Sequence, residues 1–320
     1  MSKVSVIGLI AIVLALLVGI AILAACGSVT AHAQTTAPAT PAGPFVSASP
    51  ADDYIPQPWG GNQVRVVNDA SNGTQHAAWK DYDEPGLWYS WRYDDGLCMW
   101  TKPEVAVSYA SADFDIIARD GWVVIAFVHE FAGGTEAYSV RKPWRWQEWS
   151  LPTNMSHTSG ETRHVRLAVA VDGTVEATWA DNTPGYWVVY YALWDGRFWS
   201  NRQIPSARGE NPSIAVDPWS TYIVYEDEGI RLVGKQDDGW SPVLLVSLEG
   251  APNPRDPVAI SNPSGGAWIF WVQGNEENAE VWQARAWFYN GSLRLSEPVR
   301  TPMPQPTPPA RIYLPLAISQ

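Results

Sequence analysis

Cysteine is nearly absent from this 320-residue chain: Cys26 and Cys98 are the only two, and neither belongs to a C-x-x-C pair. A disulfide framework and a thiolate zinc or redox site are therefore excluded as organising features. If Cys26 is acylated or removed, no intramolecular disulfide can form, and Cys98 in Gly96-Leu97-Cys98-Met99-Trp100 reads as a buried strand residue. Basic residues are scarce too. Lys and Arg number 21 against 33 Asp and Glu, a net charge of −12, which argues against nucleic acid as a partner. No local D-x-[DN]-x-[DN]-G loop is present, so a calcium ion would need ligands drawn from distant segments. The apolar stretch Ile312-Tyr313-Leu314-Pro315-Leu316 is too short to cross a bilayer.

One long uncharged apolar run does occur, from Val4 to Ala25 after Lys3. It reads as an export signal or membrane anchor over residues 1–33 and is set aside from the fold. Leu23-Ala24-Ala25-Cys26 resembles the lipobox of bacterial lipoproteins, which implies lipidation at Cys26. Ala31-His32-Ala33 matches a plain signal-peptidase site, and an uncleaved anchor is the third reading. All three place the globular part outside the cytoplasm, at the cell surface or secreted. Residues 34–62 follow as a Pro/Ala/Thr-rich spacer, and residues 301–320 form a Pro-rich tail.

Aromatic residues are abundant, with 19 Trp and 13 Tyr. They recur in phase. Asn211 to Ser247 contains four short β-rich runs separated by Asp, Gly and Pro, the signal for consecutive hairpins. The aromatic closing the second run recurs as Trp79, Phe127, Trp179, Tyr225 and Trp271, at intervals of 48, 52, 46 and 46 residues. A second landmark precedes the fourth run: Trp100-Thr101, Trp149-Ser150, Trp199-Ser200, Trp240-Ser241 and, in the last copy, Leu295-Ser296. Four strands per unit at a period of 40 to 50 residues predicts an all-β chain, a five-bladed β-propeller of four-stranded antiparallel blades. The blades are expected at about 63–108, 113–153, 165–206, 211–248 and 256–300. The segment before Gln63 is too short and proline-broken for a sixth.

This topology gathers the loops after the second and fourth strands on one face. The former carry acids in every copy: Asp81, His129-Glu130, Asp181, Glu226-Asp227-Glu228 and Glu276-Glu277. The latter add Asp113, Asp115, Glu210 and Asp256 with Arg163, His164, Arg166, Arg208 and Arg255. Mixed carboxylates, arginines and aromatics around a funnel suit a polar ligand such as a carbohydrate. The candidate ligand-binding residues are Asp81, Asp115, His129, Glu130, Arg166, Asp181, Arg208, Glu226, Asp227, Arg255 and Asp256. No cofactor is required, calcium being the one ion the carboxylates could take. His76 reads as a packed strand histidine, and Arg141-Lys142-Pro143-Trp144-Arg145-Trp146 as a decorated turn on the opposite face.

The turns after the third run resemble the Asp-box (BNR) repeat of the sialidase superfamily, on Asp94-Asp95-Gly96 to Trp100-Thr101, Asp195-Gly196-Arg197-Phe198-Trp199-Ser200 and Asp237-Asp238-Gly239-Trp240-Ser241. The resemblance covers about residues 63–300; blades 2 and 5 have lost the Asp. It implies a propeller scaffold. By the same resemblance, Arg163 or Arg166, Arg208 and Arg255 would meet an anion, with Tyr225, Glu226 and Asp115 in the catalytic roles. The Arg-Ile-Pro type motif of that family is missing before the first blade, and its members have six blades. The chain also resembles five-bladed arabinanase-like hydrolases, in which Asp115, Asp181 and Glu226 would supply inward carboxylates about 5 to 9 Å apart. The expectation is an exported, monomeric, membrane-tethered binding module for a glycan or a surface protein, with a glycoside hydrolase as the alternative.

Overall fold

A computed structural model of the chain describes residues 63–69, 71–80, 86–92, 100–109, 113–131, 134–146, 148–237, 239–275 and 278–301. Cys26, Asp81, Cys98, the leader, the spacer and most of the C-terminal tail lie outside the described residues. Every named element among them is a strand, and the strands form five consecutive antiparallel sheets.

Sheet 1 runs β1 (Val64–Asn68), β2 (Gln75–Lys80), β3 (Leu87–Arg92) and β4 (Glu104–Val107). Sheet 2 holds β5 (Phe114–Arg119), β6 (Trp122–Phe131), β7 (Gly134–Pro143) and β8 (Thr153–Asn154). Sheet 3 holds β9 (Thr162–Val169), β10 (Val175–Asp181), β11 (Val188–Trp194) and β12 (Trp199–Arg208). Sheet 4 holds β13 (Glu210–Val216), β14 (Ser220–Glu226) and β15 (Ile230–Gln236), followed by β16 (Gly239–Trp240) and β17 (Leu244–Leu245), which both pair with β15. Sheet 5 holds β18 (Arg255–Ser261), β19 (Ala267–Gln273) and β20 (Glu280–Tyr289), with β21 (Ser292–Leu295) and β22 (Val299–Arg300) both on β20.

The outer strands of sheets 4 and 5 are thus split, where a single run was expected in each. The breaks fall at Ser241-Pro242 and Ser296-Glu297-Pro298, because proline has no N–H to give to the ladder. The Ser or Thr of the second sequence landmark supplies the missing link. Thr101 Oγ1 accepts from Trp91 N (3.1 Å), Ser150 Oγ from Arg141 N (3.0 Å), Ser241 Oγ from Gly234 N (3.0 Å) and Ser296 Oγ from Arg285 N (2.9 Å). In sheet 3 the strand continues unbroken and Leu193 pairs directly with Ser200. The recurrent hydroxyl therefore fastens the fourth strand wherever its ladder breaks.

Four apolar cores sit between consecutive sheets. Sheets 1 and 2 share Leu87, Tyr89, Phe114, Ile125 and Phe127, and sheets 2 and 3 share Ala126, Val128, Leu167 and Trp179. Sheets 3 and 4 share Val189, Tyr191, Ile223 and Tyr225, and sheets 4 and 5 share Tyr222, Leu232, Ile269 and Trp271. Two aspartates staple neighbouring turns across these cores. Asp69 accepts from the amides of Asp120 (3.2 Å) and Gly121 (3.0 Å) in sheet 2, and Asp217 from Gly266 N (2.5 Å) in sheet 5. Val64 and Val66 of sheet 1 and Val258, Ile260 and Trp268 of sheet 5 remain exposed.

Registers align the sheets position by position. Arg65, Asp115, Arg166, Ser213 and Val258 each pair with the residue just before the landmark aromatic of the second strand: Ala78, Ala126, Thr178, Val224 and Phe270. These five side chains, one from each first strand, line a single cavity of about 320 Å³. The first strands of all five sheets therefore converge on this one cavity, the axial cavity.

His76, on β2, is fully buried. Its Nδ1 lies 2.7 Å from Tyr89 Oη and its Nε2 lies 2.8 Å from Thr74 Oγ1, which donates onward to Asn72 Oδ1 (2.6 Å). In the hexapeptide Arg141–Trp146, Lys142 and Trp144 are buried while Trp146 is exposed. Lys142 Nζ pairs with Glu104, donates to Trp146 O (3.0 Å) and lies over the rings of Tyr89 and Trp149.

Candidate functional site

The first strands of sheets 3, 4 and 5 each break register at one place: β9 between the partners of Thr178 and Ala180, β13 after Glu210 and β18 after Arg255. A residue with left-handed backbone sits at each break: His164 (φ 55°), Asn211 (φ 48°) and Asp256 (φ 54°). Asn and Asp tolerate that region better than other non-glycine residues, and a bulge re-aims the side chains around it. Here the bulges turn polar groups toward the face that carries the loops after the second and fourth strands.

Two adjoining cavities result. The axial one is lined by Arg65, Asp115, Arg166, Asn211, Ser213 and Asp256, with apolar residues of β9, β13 and β18. The second, of about 530 Å³, is a groove between the loops of sheets 3, 4 and 5, lined by Tyr186, Trp187, Arg208, Glu210, Glu226, Asp227, Glu228, Asn253 and Pro254. Glu226, which lines the groove, is bonded to two residues of the axial cavity. Its Oε1 accepts from Asn211 Nδ2 (2.8 Å) and from Asp256 N (2.6 Å). Arg208 lies over the ring of Tyr186, with its guanidinium carbon 4.5 Å from the ring centre.

Asp115 Oδ1 accepts from Ile116 N (3.0 Å) and Oδ2 from Leu167 N (2.9 Å). Burial raises its pKa, opposed by those amides and by the charges of Arg166 and Arg65. Ser213 Oγ, at the equivalent register position of sheet 4, accepts in the same way from Ala259 N (3.0 Å). Arg166 Nη1 donates to Asp113 Oδ2 (2.8 Å) and to Val165 O (2.7 Å). Beside them, His164 has its pKa lowered by burial and by the Arg166 charge, against the pull of Asp113, Glu210 and Glu226.

The residues singled out from sequence fall into three groups. Asp115, Arg166 and Asp256 share the axial cavity, and Arg208, Glu226 and Asp227 share the groove. The rest stand elsewhere. Asp181 is fully buried and saturated, accepting from Thr158 Oγ1 (2.6 Å), Thr162 Oγ1 (2.8 Å) and Thr183 N (2.8 Å). Arg255 Nη1 donates to Gly274 O (2.6 Å) and Asn253 O (3.3 Å). The His129 ring packs on Tyr109 at 4.3 Å, and Glu130 is exposed at the end of β6. Asp81 lies outside the described residues.

Asn211, Tyr186 and Trp187 belong to the site but were not singled out. Asn211-Pro212 and Asp256-Pro257 occupy the same place in successive units, a repeat signal that could have revealed the bulges. In one of the three turns likened to the Asp-box, Asp195 Oδ1 accepts from Arg197 N (2.8 Å) and Phe198 N (2.7 Å). Among the described residues no three His, Cys, Asp or Glu side chains form a group able to hold a metal ion.

No protein-family model matches this chain, and no match is found among the curated proteins. Solved structures do resemble it. A Hadza microbial sialidase is 14% identical, with 74% of this chain and 57% of that one covered and a TM-score of 0.48. The α-L-arabinanase of Penicillium chrysogenum, solved with arabinobiose, is 12% identical over 78% of this chain and 95% of that one, with a TM-score of 0.47. A NanB sialidase variant from Streptococcus pneumoniae is 9% identical over 73% and 60%, with a TM-score of 0.48. The chain thus spans under two thirds of the length of either sialidase.

Proposed function

We propose that the five sheets are the blades of a five-bladed β-propeller, exported and held at the cell surface through lipid on Cys26, and that its loop face binds a glycan. The ligand enters the groove between sheets 3 and 4 and reaches toward the axial cavity past Glu226. Membership in the sialidase-like propellers is part of this reading, as a binding relative of those enzymes.

The observation that carries it is the groove itself. Its volume lies within the roughly 300–1,000 Å³ typical of small-molecule sites. Its wall combines an arginine stacked on an aromatic ring with carboxylates from two segments, Glu210 after β12 and Glu226, Asp227 and Glu228 after β14. Guanidinium N–H groups donate to ring and hydroxyl oxygens, carboxylates accept from hydroxyls, and aromatic faces cover the C–H face of a sugar. A binding role is favoured over hydrolysis because Asp115, Asp181 and Glu226 each have an oxygen committed to backbone or hydroxyl donors.

A glycan-array screen of the exported chain, with calcium and again with chelator, tests this directly. Hits in one sugar class are expected, weakened at least about tenfold by Arg208→Ala and by Glu226→Gln, the loss that one charged hydrogen bond carries. A blank array, or binding indifferent to both substitutions, refutes the glycan reading. Release of sugar from a bound glycan would replace it with the hydrolase alternative.

A further inference from the structure

On the face opposite the loops lies a third cavity, of about 490 Å³, between sheets 2 and 3. It is walled by the turn after β5 (Arg119, Asp120), the turn after β9 (Asp172, Gly173) and the turn after β11 (Trp194, Asp195), with Trp122 and Arg141 between them. The repeat explains why the sheets part here. Counting from the first-strand residues Val66, Ile116 and Ile214, which share a register position, Asp69 and Asp217 stand three residues on and staple the next turn through its amides. In sheet 2 that position is Arg119. A guanidinium cannot accept from an amide, so Arg119 instead donates to the carbonyl of Val171 in the next turn and pairs with Asp120 (3.3 Å). The longer side chain holds the turns apart, and a groove takes the place of the staple.

The groove is furnished. Arg141 lies between two indoles, its guanidinium carbon 4.4 Å from the ring centre of Trp194 and 5.7 Å from that of Trp122. Among the described residues no carboxylate lies within ion-pair distance of Arg141. Trp122 is 48% exposed, a large apolar ring left at a cavity wall. Asp172 and Asp195 each use Oδ1 on their own turn amides, Thr174 N (2.9 Å) and Arg197 N (2.8 Å). A flat aromatic platform, a guanidinium fork fixed by stacking and carboxylates at the rim together match a sugar ring, which offers one C–H face and a girdle of hydroxyls. The local charge also decides the class: three carboxylates against two guanidiniums, on a protein of net charge −12, disfavour an anionic ligand.

We propose that this groove is a second saccharide site, taking a neutral oligosaccharide stacked on Trp122 and hydrogen-bonded by Arg141, Asp172 and Asp195. It does not depend on the loop-face site. Titration calorimetry of the full exported chain with cellotetraose, xylotetraose, maltotetraose and chitotetraose, and with tetragalacturonate as the anionic control, tests it. At least one neutral tetrasaccharide should bind, with Kd raised about tenfold or more by Trp122→Ala and by Arg141→Met, and unmoved by Arg208→Ala. Trp122 is half exposed, so its removal leaves the melting temperature near that of the parent, which a thermal scan of the same samples checks. The proposal is overturned if no neutral tetrasaccharide binds up to about 5 mM. It is equally overturned if binding survives Trp122→Ala and Arg141→Met, or if only tetragalacturonate binds. Binding abolished by Arg208→Ala and untouched by Trp122→Ala would assign the ligand to the loop face and sink this second site while leaving the first intact.

Discussion

Acid should weaken this fold through His76, and the size of the effect follows from its surroundings. Burial drives the His76 pKa from 6.5 down to about 4, with the Lys142 charge acting in the same direction and Asp69 against it. The hydrogen bonds agree with a neutral ring: Tyr89 donates to Nδ1, and Nε2–H donates to Thr74, which passes the chain to Asn72. A proton on Nδ1 would take away the acceptor of the Tyr89 hydroxyl and bury a charge at a fully buried position. Above pH 6.5 the folded and unfolded states both hold a neutral ring, and the full stability is present. Between 6.5 and about 4 only the unfolded state takes up the proton, so stability falls by about 1.4 kcal/mol per pH unit, or about 3 kcal/mol across the window. Urea unfolding followed by tryptophan fluorescence at pH 8, 7, 6, 5 and 4.5 measures the slope. His76→Gln should cost about 1 to 2 kcal/mol at pH 8, for its lost partners, and should flatten the curve relative to the parent below pH 6.5. His164 and the carboxylates titrate in both proteins, so the difference between the two curves isolates His76. Parallel curves would refute the argument.

Removing the Asp217 carboxylate should be costly, because Gly266 N, Trp219 N and Tyr222 Oη all donate to it. Asp217→Ala leaves those donors without their acceptor and should destabilise by about 3 kcal/mol, seen as a lower urea midpoint at unchanged slope. The seam between sheets 5 and 1 can be probed by two isoleucines of sheet 5. Ile269 is fully buried in the core shared with sheet 4 and Ile260 is 52% exposed, so Ile269→Ala should cost about 3 to 4 kcal/mol and Ile260→Ala under about 1. Equal losses would mean that the seam is packed like the four other boundaries.

The all-β architecture was legible because the signals that carry it are repeated. The aromatic closing each second strand marks a buried position, which in sheets 2 to 5 belongs to an inter-sheet core, and the Ser or Thr before each fourth strand marks a hydrogen bond that recurs in four of the five sheets. The loop face was legible only as a collection of charges. Asp181 and Glu226 occupy the same strand end in adjacent sheets and look alike in sequence, yet Asp181 is enclosed by three donors while Glu226 lines the groove. What separates them is the pair of threonines at 158 and 162, brought to Asp181 from the preceding segment, and no local pattern announces that meeting. The bulges at His164, Asn211 and Asp256 escaped for a related reason: a skipped register is a property of two strands, and one strand read alone shows at most an Asn-Pro or Asp-Pro.

A repeat architecture also supplies its own internal control for function. Positions that do the same structural work in several units show what the scaffold needs, so a unit that departs from them either pays in stability or has been put to another use. At the first-strand position facing the axis, Ser213 shows that a small hydroxyl is enough to hold the next strand. Asp115 does the same work with a charge that burial opposes, and Arg65 and Arg166 bring two more charges to the same cavity. Four residues on from Arg65, Asp115 and Ser213, an aspartate suffices in sheets 1 and 4, whereas Arg119 in sheet 2 opens a groove that the aspartate would have closed. At the first place the departure introduces charge where a hydroxyl satisfies the fold; at the second it exchanges a short anion for a longer cation. Folding alone does not favour the first departure, since an ion withdrawn from water costs free energy that a hydroxyl does not. The charges at Arg65, Asp115 and Arg166 are therefore the ones that the fold does not require, and they accord with the proposal that a polar ligand enters the cavity they line.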